Sequence, residues 1–170
     1  DIGTVNLLNT TSDIIASGTG MVNITALRNI VLASGSSITT ADGYITLTAD
    51  SMDFASTTSV NAGANSVILQ PHTPGTRIDL GGDDVPTGSP LTLGLTDAEL
   101  SSITARTLTI GHVASGEITV SAAIARQAVT DISLISGGAI IFNPGSIDTA
   151  GGNLLLAPGT AVQPLTAGID

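Results

Sequence analysis

The sequence predicts an all-β protein, a right-handed parallel β-helix of about seven to eight coils. Apolar residues alternate with Thr, Ser, Asn or Asp over four to six positions at a time, which is the period-two pattern of β-strands. Equivalent positions recur about every 22 residues, close to the length of one coil. Aromatic residues make up only 2% of the 170 residues, as expected for a narrow interior filled by small aliphatic side chains.

Strand candidates follow one another along the chain, separated by Gly, Asn, Asp and Ser residues that favour tight turns. Each strand candidate places every second side chain on the same face, and that face is apolar. The clearest alternating runs are 22–25, 45–48, 77–80, 107–110, 117–120 and 131–134.

The repeat becomes visible when the sequence is compared with itself at a fixed shift. Leu32 precedes Phe54 by 22 residues, and Ile38 precedes Val60 by the same distance. The other pairs at this spacing are Ile45 and Val67, Leu47 and Leu69, Ile132 and Leu154, and Leu134 and Leu156. A fixed period of this length is typical of a solenoid, in which the same inward position stacks on its counterpart one coil away.

The period breaks in the middle of the chain, where four irregular stretches occur. Residues 71–76 and 81–90 are rich in Pro and Gly and predict loops. Residues 96–102 carry a capping-box pattern, Thr96 followed three positions later by Glu99, and this pattern predicts one or two helical turns. Residues 122–130 are a second candidate for a helix or a bulge.

We expect the coils to continue through these interruptions, because the stretch from Ser66 to Asp131 is close to three periods long. The prediction is therefore one β-helix domain over residues 1–170. Because the chain starts at Asp1 without a Met, we expect it to be a processed product or a segment of a larger array or filament.

Composition and charge exclude several classes of function. Four Arg and Lys residues stand against fourteen Asp and Glu, so the net charge of −10 repels nucleic acid and anionic lipid surfaces. No apolar run approaches the ~20 residues of a membrane-spanning helix, so membrane insertion is not expected. The absence of Cys excludes disulfides and thiolate metal sites.

Two stretches resemble the filamentous-haemagglutinin-like repeats of very large secreted bacterial adhesins. They are residues 145–157 (GSIDTAGGNLLLA) and residues 93–111, which contain LGLTDAEL and ITARTLTIG. The resemblance implies a right-handed parallel β-helix that is exported to the cell surface or released and that acts as an adhesive stalk or matrix component. The expected partners are copies of the chain or adjoining repeats stacked head to tail, and host or matrix glycans are a further class of partner.

The sequence contains no arrangement of side chains typical of catalysis or of metal binding. His72 and His112 have no second ligand at a zinc-site spacing and are expected on surface loops. The nucleophile elbow and the phosphate-binding loop are both absent, and the one tyrosine, Tyr44, is too little for a sugar-stacking platform. We therefore predict a non-enzymatic structural module with no catalytic residue, no bound cofactor and no metal site.

Two alternatives stay open on the residues. The first is a polysaccharide-processing β-helix lyase or hydrolase, for which Asp79, Asp83 and Asp84 near the loops are the plausible carboxylates. The second is an ice-binding solenoid, suggested by the Thr-x-Thr spacing of Thr46 with Thr48 and of Thr107 with Thr109. These threonines do not recur coil after coil, so half-exposed strand positions explain them better.

Overall fold

The chain forms a parallel β-solenoid of about seven stacked coils, which confirms the predicted fold class. The computed structural model describes residues 3–164, and its side chains through residue 162. The first two and the last six residues of the expected single domain lie outside the described residues. Every strand ladder within the described part of the chain is parallel, apart from one isolated antiparallel bridge between Val85 and Thr92.

The first three coils are regular, and each contributes three strands. Coil 1 consists of β1 (Thr4–Leu7), β2 (Asp13–Ala16) and β3 (Val22–Thr25). Coil 2 consists of β4 (Asn29–Leu32), β5 (Ser37–Thr40) and β6 (Ile45–Thr48). Coil 3 consists of β7 (Ser51–Phe54), β8 (Ser59–Asn61) and β9 (Ser66–Gln70).

Coil 4 is irregular, and the regular pattern returns after it. Coil 4 consists of β10 (Arg77–Leu80), β11 (Thr92–Leu95), α1 (Asp97–Ser101), β12 (Ile103–Thr104) and β13 (Thr107–Gly111). Coil 5 consists of β14 (Ile118–Val120), β15 (Ala123–Ala125) and β16 (Asp131–Ile135). Coil 6 consists of β17 (Ile140–Phe142), β18 (Ser146–Asp148) and β19 (Leu154–Ala157), and β20 (Val162–Pro164) opens coil 7.

Strands of successive coils stack into three faces. Face 1 runs β1, β4, β7, β11, β10, β14, β17, β20, face 2 runs β2, β5, β8, β12, β15, β18, and face 3 runs β3, β6, β9, β13, β16, β19. Leu32 pairs with Phe54, and Ile38 with Val60, so the 22-residue period predicted from the sequence is the register of these ladders.

The core is a set of aliphatic columns that run along the solenoid axis. On face 2, Ile38, Val60 and Ile103 occupy one column and are at most 2% exposed. On face 3, Ile45, Val67, Leu108 and Ile132 do the same. Each of these side chains covers the one before it, which explains why the inward positions of the sequence are restricted to Ile, Leu, Val and Ala with rare larger residues.

The abundant Ser and Thr residues also close the corners. The hydroxyls of Ser36 and Thr58 each donate to a carbonyl three residues earlier, at 2.7 and 2.9 Å. The hydroxyl of Thr40 donates to the carbonyl of Gly43 at 2.6 Å. The Ser36 and Thr58 hydroxyls add a second hydrogen bond to carbonyls that already accept from the backbone N–H of the same residue, and the Thr40 hydroxyl satisfies the Gly43 carbonyl.

One helix was predicted correctly and one was not. Helix α1 has Thr96 as its N-cap, and the reciprocal hydrogen bonds of Thr96 and Glu99 form the predicted capping box. For residues 122–130, where a helix or a bulge was expected, the helix is wrong, because β15 occupies 123–125 and pairs with β18. The alternation of a single buried side chain, Ile124, between two exposed alanines was too short to be distinguished from a turn. Among residues 3–164, no helix has the length and apolar character needed to cross a bilayer.

Candidate functional site

The irregular coil 4 contains the three carboxylates considered from the sequence, Asp79, Asp83 and Asp84, and two of them line one cleft. Strand β11 lies between β7 and β10 on face 1, although it follows β10 in the chain. No ladder joins β7 to β11 in the described residues. A cleft of about 470 Å³ opens at this boundary, and Asp83, Asp84, Gly94 and Glu99 are among the residues that line it. We call the boundary between β7 and β11 the seam.

Asp84 connects the two sides of the seam. One carboxylate oxygen accepts a hydrogen bond from the Ser51 hydroxyl at 2.6 Å and another from the Met52 N–H at 3.1 Å, both on β7. The other oxygen accepts from the Gly94 N–H on β11 at 2.8 Å. The Asp84 carboxylate therefore takes the place of a neighbouring strand for β7 and β11.

Glu99 provides the second connection. One carboxylate oxygen accepts from the Phe54 N–H on β7 at 3.2 Å. The other accepts from the N–H and the hydroxyl of Thr96, both at 2.8 Å, as part of the capping box. The same side chain thus fixes the start of α1 and satisfies a backbone donor across the seam.

Gly94 is needed where the loop after β10 crosses the outside of β11. A Cβ built on Gly94 would overlap with the carbonyl carbon of Asp83 and with the amide nitrogen of Asp84. The loop backbone cannot approach β11 this closely over any other residue, and this approach carries the Asp84 side chain to the seam.

The three predicted carboxylates do not form one site. Asp83 and Asp84 line the cleft, whereas Asp79 does not. Asp79 lies on the outer side of β10 and accepts a hydrogen bond from the Ser121 hydroxyl at 2.5 Å. Glu99 also lines the cleft, and the sequence did not indicate this because the capping role of Glu99 was sufficient to explain it.

Burial raises the pKa of Asp84 to about 6, and the nearby charge of Glu99 adds to the rise. Hydrogen bonds from Ser51, Gly94 and Met52 stabilise the carboxylate and oppose the rise, but the loss of hydration is larger. At neutral pH the seam therefore holds an ionised carboxylate whose charge costs folding free energy.

The raised pKa predicts the direction of a pH effect. In the unfolded chain Asp84 titrates near 3.8, so between about pH 4 and pH 6 only the folded state takes up this proton. The free energy of unfolding of the wild type should rise relative to Asp84→Asn as the pH falls from 7.5 to 4.5. The expected gain is on the order of 1 kcal/mol, because the carboxyl keeps part of its hydration.

Denaturant unfolding across this pH range measures the difference. Asp83→Asn is the matched control, since Asp83 is an exposed neighbour on the same loop, and it should follow the wild type. A constant difference between wild type and Asp84→Asn at all pH values would contradict the assignment.

Arg126 performs the equivalent task on face 2, where β12 and β15 do not pair. Its guanidinium donates to the carbonyl of Leu100 at the end of α1 and, at 2.5 Å, to the carbonyl of Ile103 on β12. Asp97 in the first turn of α1 accepts from the Ala125 N–H on β15 at 2.7 Å. Burial lowers the pKa of Arg126, and the charge of Asp97 opposes this effect.

Replacing Arg126 should therefore be costly. Arg126→Met keeps the length of the side chain but leaves the carbonyls of Leu100 and Ile103 without their donors, so we expect a loss of about 2–3 kcal/mol in the free energy of unfolding. Arg106→Met is the control, because the Arg106 side chain is 73% exposed and makes one loose ion pair. It should cost below ~1 kcal/mol. Equal losses for both variants in denaturant unfolding would contradict the role of Arg126.

The two histidines lie at corners of the solenoid. His112 follows β13 and is half-buried, with Nδ1 accepting from the Ala114 N–H at 3.0 Å and Nε2 lying 3.2 Å from the Pro71 carbonyl oxygen. His72 lies in the connection between β9 and β10. Residues 3–164 contain no group of three or more His, Cys, Asp or Glu placed to hold a metal ion.

The outer surface of face 3 contains the threonines considered for ice binding. Thr46 is flanked in its column by Asn23 and Ile68, and Thr109 by Ile68 and Ser133. The column therefore alternates between hydroxyl, amide and aliphatic side chains and lacks a regular row of hydroxyls.

No protein-family model, no curated protein and no solved structure matches this chain. The fold defines it as a β-solenoid.

Proposed function

We propose that the chain is a structural, non-enzymatic module of a secreted or cell-surface bacterial adhesin or filament, in which its end coils stack on adjoining coils or on another copy. The observation that supports this proposal most is the contrast between inner and outer coils. In the face 2 column, Ile38 and Val60 are fully buried, whereas Ile14, at the same position in coil 1, is only partly buried. The core column thus continues to the end of the described coils without a cover.

The backbone of the end strands also supports stacking. Val22 and Ala26, in and just after β3, donate to the carbonyls of Tyr44 and Thr48, so the backbone of Asn23 and Thr25 points to the open edge. At the other end, Asn153 and Ala157 accept from coil 5, so the backbone of Leu154 and Leu156 points away from it. A further coil at either end could pair with these backbone groups in the same alternating pattern as the ladders inside the solenoid.

The composition of the end coils fits the same role. Residues 3–28 contain two charged side chains, Asp13 and Arg28, and residues 138–164 contain one, Asp148. Leu8 and Ile15 in coil 1 are each 70% exposed. Edge strands that natural sheets protect from pairing usually have charges or prolines, and β3 and β19 contain neither.

The cellular location and the adhesive role rest on the resemblance of residues 93–111 and 145–157 to filamentous-haemagglutinin-like repeats. That resemblance supports export to the surface and contact with host or matrix glycans. Such contacts would be polar, since Tyr44 is the one tyrosine and Trp is absent.

The carbohydrate-processing alternative has less support. Both carboxylates that face the seam, Asp84 and Glu99, already accept hydrogen bonds from β7 and from Gly94 or Thr96, which accounts for them structurally. Turnover of an acidic polysaccharide by the wild type, lost in Asp84→Asn while the fold is retained, would instead establish an enzyme.

A proline at the open edge tests the stacking. The N–H of Asn23 is directed to the edge, so Asn23→Pro removes a donor for the next coil and leaves the internal ladder intact. We expect the wild type to associate end to end as its concentration rises, and Asn23→Pro to weaken this association at least about tenfold. Sedimentation velocity and negative-stain microscopy measure the association, and circular dichroism checks the fold.

Asn23→Ala is the matched control, because it shortens the same side chain and keeps the N–H. It should associate like the wild type. A wild-type chain that stays a folded, monodisperse monomer at high concentration would defeat the proposal of self-stacking, and so would undiminished association of Asn23→Pro.

A further inference from the structure

Face 1 contains one strand more than face 3 between the same two coils. From coil 3 to coil 5, face 1 runs β7, β11, β10, β14, whereas face 3 runs β9, β13, β16. Face 1 therefore spans three strand spacings where face 3 spans two. The ladders of face 3 are continuous through this region, so face 3 contains no gap that would equal the additional strand spacing of face 1.

The register shows where the additional segment begins and ends. Arg77 of β10 pairs with Thr92 of β11, so the stretch 77–91 returns the chain to the same face 1 position one strand away. Across coil 4, Ser66 pairs with Thr107, a separation of nearly two periods. Without the stretch 77–91, this separation is close to the one between the paired residues Thr4 and Asn29 of coils 1 and 2.

The corner between faces 3 and 1 changes length at the same place. Residues 49–50 connect β6 to β7, whereas residues 71–76 connect β9 to β10. A chain that climbs past one additional strand must cover about 4.8 Å more along the axis, and a six-residue connection is long enough for this; the corner between β13 and β14, residues 112–117, has the same length.

We infer that residues 77–91 are an additional face 1 rung inserted into an otherwise regular solenoid, and that this rung bends the solenoid axis at coil 4. One strand spacing of about 4.8 Å across faces that pack about 10 Å apart corresponds to a bend of about 25°. Face 1 lies on the convex side and face 3 on the concave side.

The side chains around coil 4 fit a wedge that is thick on face 1 and thin on face 3. On face 1 the additional rung is β10, which lies between β11 and β14, and β11 is held to β7 by Asp84 and Glu99. Between β12 and β15 on face 2, α1 and the Arg126 guanidinium occupy the space where a ladder is absent. On face 3, β13 pairs directly with both β9 and β16.

The bend has a consequence for assembly, and this part rests on the proposed end-to-end stacking. If each copy is bent at coil 4 in the same direction, a head-to-tail array of copies is a curved or helical filament, whereas a regular solenoid would give a straight one.

Paired spin labels test the wedge in the intact chain, which has no Cys of its own. Asn6→Cys with Ile141→Cys places two labels on the outside of face 1, in coils 1 and 6. Asn23→Cys with Leu155→Cys places two labels on face 3 in the same coils. With the inserted rung, the face 1 pair spans six strand steps, one of them the seam, and the face 3 pair spans five, so the distances are at least roughly 29 Å and roughly 24 Å.

Double electron–electron resonance measures both distances, with each labelled chain diluted into excess unlabelled chain so that stacking adds no signal. We expect the face 1 distance to exceed the face 3 distance by about one strand spacing. Equal distances on the two faces would overturn the inference. This result does not depend on whether the chain stacks.

Deletion of residues 77–91 provides the matched variant. If the deleted chain folds, β11 lies next to β14 in the place of β10, the face 1 distance falls by about 5 Å, and the face 3 distance is unchanged. A folded deletion variant with an unchanged face 1 distance would contradict the inference. If the variant does not fold, the two distances in the intact chain still decide the question.

Electron microscopy of filaments tests the consequence for assembly. Curved or helical filaments from the wild type support it, and straight filaments from a chain with unequal label distances overturn it. Unequal distances without any filaments would leave the wedge standing while the proposed self-stacking fails.

Discussion

The structure depends on the coverage of each coil by its neighbours. Inward aliphatic side chains such as Ile38 and Val60 exclude water from one another only because the same position recurs one coil away. The backbone has the same dependence, because each strand finds its hydrogen-bond partners in the coils before and after it. Stability is therefore close to a sum of coil and interface terms, and any position where a coil lacks a neighbour has to be managed separately.

Coil 4 shows how such a position is managed inside the chain. Where β7 meets β11 and where β12 meets β15, the backbone has no strand partner, and charged side chains replace it. Asp84 and Glu99 accept from the amides on face 1, and Arg126 donates to the carbonyls on face 2. In a sequence with 11% charged residues, these charges stand where an irregularity would otherwise leave buried polar groups unsatisfied.

The same physical constraint connects the end coils to the proposed function. The end strands have one ladder neighbour among the described residues, few charges and partly covered core positions such as Ile14. At coil 4, charged side chains take the place of the absent strand partner. At the ends of the described coils, the free N–H and C=O groups of the edge strands stand at the positions where a further coil would pair with them. The end coil of one copy sets the orientation of the copy that stacks on it. A bend within each copy therefore becomes the curvature of an array of copies.

The sequence alone determined the solenoid class, the 22-residue register and the helix at Thr96, because each depends on residue types at fixed spacings. The inward positions Leu32 and Phe54, or Ile132 and Leu154, can be paired by counting. The sequence did not reveal that β11 lies between β7 and β10 on face 1, although it follows β10 in the chain. The residue spacing of two similar short strands does not indicate which of them comes first along the solenoid axis. For the same reason it could not place Asp84 or Arg126: their partners are backbone groups brought near by that order, and only the tertiary structure decides which amides and carbonyls lack a strand.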